Sequence, residues 1–142
     1  MTNLKTNLML AAAALVVAAG SASAQNLKAE IPFSFRASGA GLPAGTYDVL
    51  VKSSTGGTRS VQLRNVETHQ SVIAVSNGSM DATSKVTKDG APKMQFACAG
   101  SRCEFSAIWP GQGDMLRVAR PTFATDADTR VAVISLVRDR AK

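Results

Sequence analysis

From residue 25 onward, stretch after stretch alternates apolar and polar residues with a period of two, and none sustains the 3.6-residue period of a helix. Residues 29–36, AEIPFSFR, put Ile31, Phe33 and Phe35 on one side. Residues 47–52, YDVLVK, do the same with Tyr47, Val49 and Val51. VQLRNV (61–66), SVIAVS (71–76), MLRVAR (115–120) and VAVISLV (131–137) read as further strands. The turn signals GAGLPAG, STGGT, NGSM, KDGAP, WPGQGD and ATDADT separate them. With the cysteine-bearing hairpin described below, about eight short strands at hairpin spacing result. They predict an all-β fold, a small antiparallel β-sandwich or barrel. No internal repeat or linker interrupts residues 25–142, which are expected to form a single β-domain.

The first 24 residues are of another kind. Lys5 and the amino terminus make a positive n-region, residues 8–20 are thirteen uncharged apolar or small residues, and Ala22-Ser23-Ala24 is a small-x-small site. That is the pattern of a cleavable secretory signal peptide over residues 1–24. The apolar run is too short for a transmembrane helix, which needs ~20 residues. No membrane span is expected after cleavage, and the location is periplasmic or extracellular. The mature chain would run from Gln25 to Lys142, 118 residues, enough for one modest core.

Without Lys5 the mature chain has fifteen Lys and Arg against ten Asp and Glu, a net charge of +5. The charges are scattered rather than run together. A basic balance suits acidic partners electrostatically, whether polyanionic glycans, anionic lipid surfaces or nucleic acid, but scattered charges read first as a mixed solvated surface; the partner expected is an envelope protein or a polyanionic glycan. Arg117, Arg120, Arg138 and Arg140 would form an anion-binding patch if their strands were neighbours. Five Phe, one Trp and one Tyr are too few for a nucleic-acid stacking platform, so no specific nucleic acid is expected.

Cys98 and Cys103, in QFACAGSRCEF (95–105), are the two cysteines of the chain. Their spacing is not the Cys-x-x-Cys of a thioredoxin-like redox pair. A zinc site would need two more nearby ligands, and the single histidine, His69, is distant in sequence. An exported chain meets an oxidising compartment, where thiols pair. If Cys98 faces Cys103 across a hairpin, Phe96 faces Phe105 and Met94 faces Ala107. The apolar side chains, Trp109 included, then share one face, with Gln95, Glu104 and Ser106 on the other. Ala99-Gly100-Ser101-Arg102 would be a four-residue loop. A structural disulfide is the expectation, fixing register more than creating the fold.

Two stretches carry a resemblance. IPFSFRASGAGLPAGTYDV (31–49) resembles the opening of a group of small bacterial exported β-proteins, with an I-P-F-x-F strand, a Gly-containing turn and L-P-A-G-x-Y-x-V. FSAIWPGQG (105–113) is similar to their later aromatic strand ending in Trp and a Gly-rich turn. The two cover about a fifth of the chain, in matching order and spacing. The group has no assigned activity, so the resemblance implies export and a β fold but no functional residue. This chain departs from it in carrying Cys98 and Cys103 where those proteins tend to have an aromatic, charged hairpin.

Residues with reactive chemistry are few. Pro43 and Gly45 read as a Pro-x-Gly turn that sets strand register, followed by Tyr47 with its ring over the core edge and its hydroxyl near water. His69, in VETHQS, reads as a solvated loop residue, and no G-x-S-x-G elbow accompanies it. Asp126 and Asp128 offer two carboxylates to a Ca²⁺ ion but read as solvated loop acids, and Asp81, Asp89 and Asp114 as turn formers. No catalytic residue, metal site or cofactor is therefore expected. Three classes of function stay open: a non-catalytic exported domain that binds a ligand or partner in the envelope, a small extracytoplasmic hydrolase using His69 or an acid pair, and an outer-membrane β-barrel. The barrel is the poorest fit, because its strands need ~9–11 residues each. The first class is the expectation.

Overall fold

A computed structural model describes residues 25–118 and 129–138. The expected signal peptide, Asp126 and Asp128, and Arg120 and Arg140 all lie outside the described residues. Strands β1 (Gln25–Ile31), β4 (Gly45–Ser53), β5 (Arg59–Asn65), β6 (Ser71–Val75) and β12 (Val137–Arg138) form one sheet, in the order β12-β1-β4-β5-β6. The second sheet contains β8 (Lys93–Ala99), β9 (Arg102–Trp109), β10 (Met115–Arg117), β7 (Gly78–Met80) and β11 (Thr129–Ser135), in the order β11-β8-β9-β10-β7. A small hairpin of β2 (Phe35–Ala37) and β3 (Ala40–Leu42) joins it, with β2 parallel to β9. One short helix, α1 (Ser84–Thr87), completes the elements. The chain is an all-β sandwich, two sheets with separate margins rather than one closed cylinder.

More strands are present than the alternation predicts, because apolar parity runs on where the chain changes sheet. Residues 29–36 read as one strand, but β1 ends at Ile31 in the first sheet and β2 begins at Phe35 in the second. Pro32 has no N–H to give to a ladder and stands at the crossing. Residues 131–137 divide in the same way, with buried Leu136 between β11 and β12.

The inner faces of the sheets meet in one core. Leu27, Tyr47, Val49, Val61 and Leu63 from the first sheet pack with Met94, Phe96, Phe105, Ile108 and Leu116 from the second. Phe35 ties the layers together, edge-on to both Tyr47 and Phe96 with ring centroids 5.3 Å apart. Tyr47 departs from the sequence expectation. It is fully buried, and its hydroxyl donates to the Pro43 carbonyl. A phenol inside a core must bring its own acceptor, and the L-P-A-G turn curls back to supply one. A tyrosine hydroxyl bonded to backbone a few residues upstream is also the corner device of immunoglobulin-like sandwiches. The Gly45 side of the turn is equally close, since a Cβ there would lie 3.2 Å from Asn65 Nδ2.

Candidate functional site

The cysteine hairpin is built largely as expected. Cys98 and Cys103 are disulfide-bonded directly across β8 and β9, with Cα atoms 4.1 Å apart, and Phe96 stands opposite Phe105. Both cysteines are buried, which makes the bond structural. Two details are corrected. Ala99 pairs with Arg102, so the loop is the two-residue turn Gly100-Ser101. Gly100 has φ 61°, the positive first position that a type II′ turn asks of glycine. The second correction is a bulge. Gln95 faces Ala107 while Phe96 faces Phe105, so Ser106 is an extra residue on β9. Past Ser106 the faces exchange. Met94 lies opposite Ile108 rather than Ala107, and Ile108 joins the main core. Ala107 and Trp109 turn outward into a second cluster with Val86 and Met115, roofed by the α1 segment. Ser106 is satisfied where it sits: its hydroxyl donates to the Gln95 carbonyl and its carbonyl accepts from Val118 N–H. Glu104, on the outward face, is nevertheless buried, at 6% exposure.

Trp109 then organises the W-P-G-Q-G loop. Its indole Nε1–H donates to the Gly113 carbonyl at 3.0 Å. Gly111 holds φ 103°, and a Cβ there would come within 2.7 Å of Arg138 Nη2. The stretches 31–49 and 105–113 thus share one construction. In each, an aromatic at a strand end (Tyr47 or Trp109) bonds a carbonyl four residues away and fixes a Pro- and Gly-containing turn.

That loop forms one wall of a cleft of about 880 Å³. Gln112, Gly113 and Asp114 come from the β9–β10 loop. Gly56, Gly57, Thr58 and Arg59 come from the β4–β5 turn of the other sheet. Ser76, Gly78 and Ser79 come from the crossing between β6 and β7, with buried Leu116 behind them. Each wall is held from within. Ser54 N–H bonds the Thr58 carbonyl across the β4–β5 turn, and Ser76 Oγ bonds the carbonyls of Gly78 and Arg117. The cleft therefore offers hydroxyls, an amide, one guanidinium, one carboxylate and stretches of bare glycine backbone on anchored turns. A smaller depression of about 440 Å³ lies at the cysteine hairpin, lined by Ser34, Arg36, Pro43, Ser101 and Arg102, with no carboxylate among its lining residues. Arg130 is close by, donating to the Gly100 carbonyl.

Apart from Asp114, the residues singled out from sequence fall elsewhere. His69 is exposed in the β5–β6 turn, at the opposite end of β5 from the cleft, with φ 63°. Arg64 donates to its Nδ1 at 3.2 Å. Asn65 organises this turn: its Oδ1 accepts from the N–H groups of Glu67 and Thr68. Of the four arginines of the expected patch, Arg117 and Arg138 are described: Arg117 sits in the second sheet and Arg138 on the margin of the first, against Gly111. Asp114 lines the cleft. Asp89 receives the Ala91 N–H and the ammonium of buried Lys93; the Lys93 hydrogen bond is the chief cause that holds its carboxyl below the ordinary value of 3.8. Among the described residues no three His, Cys, Asp or Glu side chains are grouped to hold a metal ion. The cleft itself was missed because its walls come from three turn signals that the sequence spreads over residues 56–114. No protein-family model matches the chain, and no curated protein or solved structure compared with it matches.

Proposed function

We propose that this chain is an exported, non-catalytic β-domain that binds a glycan in the bacterial envelope. The observation that carries this reading is the mixed polar cleft between the β4–β5 turn and the β9–β10 loop. Sugar hydroxyls both donate and accept hydrogen bonds, so they suit a wall that alternates Thr58 and Ser79 hydroxyls, the Gln112 amide, Arg59 and Asp114. Bare backbone at Gly56, Gly57 and Gly113 lets a chain-like ligand approach closely. Asp114 favours a neutral glycan over a polyanion at this site. Export is supported by the signal pattern of residues 1–24 and by the disulfide, which belongs to oxidising compartments. Non-catalysis is supported by the position of His69, away from the cleft with Nδ1 engaged by Arg64. A general base must instead reach the proton it removes.

The test is binding of the processed, oxidised protein to neutral and anionic envelope glycans. Neutral glycans should bind, and Asp114→Ala or Arg59→Ala should each weaken them at least tenfold. Binding unaffected by both substitutions would overturn the assignment to this cleft. The depression at the cysteine hairpin supports a second reading, because Arg36 and Arg102 line it without a carboxylate. Retention of anionic glycans only, abolished by Arg102→Ala, would place binding there. Catalytic turnover of any glycan that is lost in His69→Ala would bring the hydrolase reading forward.

A further inference from the structure

β11 (Thr129–Ser135) is the margin of the seven-stranded sheet, paired with β8 along its length on one side. Its other side is not paired to any described strand. The remaining margins are short or guarded. β7 and β12 have three and two residues. β6 is five residues long, but Ser38 Oγ donates to the Ile73 carbonyl and the β2 hairpin lies against it. β11 is seven residues long and contains none of the Pro, Gly, Lys or acidic residues that usually protect an open strand. Its outward side chains include Val131 at 64% and Val133 at 46% exposure.

We infer that β11 is a dimerisation edge, and that its occupant is β11 of a second copy of this chain, antiparallel about a two-fold axis at Ala132. The strand is self-complementary in that register. Thr-Arg-Val-Ala-Val-Ile-Ser read in reverse has the same order of polarity, apart from Arg130 exchanging with Ile134. Val131 of one copy therefore meets Val133 of the other on the outer face, and Thr129 meets Ser135. A closed two-fold pairing leaves no further edge of this kind to propagate a fibre. Charge does not oppose it. Arg130 carries the strand's one charge and is engaged by the Gly100 carbonyl. The two copies of Arg130 would stand about 14 Å apart along the ladder, at ~3.4 Å per residue, beyond the ~8 Å Debye length at physiological ionic strength. One seven-residue edge buries less than the ~1,200 Å² of a stable specific interface, so the dimer is weak and concentration-dependent.

Sedimentation velocity of the processed, oxidised protein should show a mass that climbs from one copy toward two between about 10 µM and 1 mM, the range set by so small an interface. Over the same range, hydrogen exchange should slow in residues 129–135 and not in residues 71–75. Val133→Lys should weaken association at least tenfold, because each ammonium would be pressed onto the opposing strand. Its thermal unfolding at low concentration should match the wild type. A protein that stays monomeric up to 1 mM overturns the inference. So does a dimer in which β11 exchange does not slow, or one that Val133→Lys leaves intact.

Discussion

At the residue scale, the fold leans on a few polar groups whose partners are local. Removing the Tyr47 hydroxyl leaves the ring's burial intact and deletes one hydrogen bond inside a fully buried site. Tyr47→Phe should therefore cost about 1 kcal/mol in urea unfolding, the ordinary net worth of such a bond. An unchanged midpoint would mean that the turn does not depend on it. Asp89 makes a pH-dependent contribution. Its carboxyl is held below 3.8 by the Lys93 hydrogen bond, so the contribution is fully present above that value. It is lost as pH falls through the lower native value. Asp89→Asn should unfold more easily than wild type at pH 7, with the difference closing in more acid solution. A difference that stays constant down to pH 2 would assign it to something other than ionisation.

At the element scale, the β8–β9 hairpin sets the arrangement of the second sheet, and two of its features can be tested separately. The disulfide closes a very short loop, so reduction or Cys98→Ala/Cys103→Ala should remove only about 2 kcal/mol. The far-ultraviolet signature of the sheets should persist; its loss on mild reduction would give the bond a larger role. The bulge can be removed without moving a side chain to the other face. Deleting Ser106 leaves Gln95 opposite Ala107 and Met94 opposite Ile108 in an unbroken ladder, so Ile108 stays in the main core and Trp109 stays outward, and what is lost is the Ser106 carbonyl that accepts from Val118 N–H. We expect the deletion variant to unfold cooperatively but at lower denaturant than Ser106→Ala, which keeps that carbonyl. Equal stability of the two variants would show that the Val118 bond adds nothing.

At the scale of the whole molecule, two sheets close on one core, and turns from both meet around the cleft. The expected cleavage site lies just before Gln25. We predict that the exported protein has the intact mass of residues 25–142, with two hydrogens lost to the disulfide. A mass that retains Met1 would remove the export argument, and with it the oxidising environment invoked for Cys98 and Cys103.

The period-two alternation was enough to determine the all-β class, and parity about Cys98 and Cys103 was enough for the pairing of Phe96 with Phe105, because side chains in a strand must alternate faces. The Pro-x-Gly turn before Tyr47 was equally legible, since Pro and Gly act through their own backbone. What alternation cannot express is a change of sheet or an inserted residue. Ile31, Phe33 and Phe35 keep one parity while the chain crosses between sheets, and Trp109 changes face because Ser106 is inserted before it. Those outcomes depend on which surface each strand meets once the sheets stack. The cleft is of the same kind: Arg59, Ser79 and Asp114 lie far apart in the chain, and only the closure of one sheet over the other brings them to one opening.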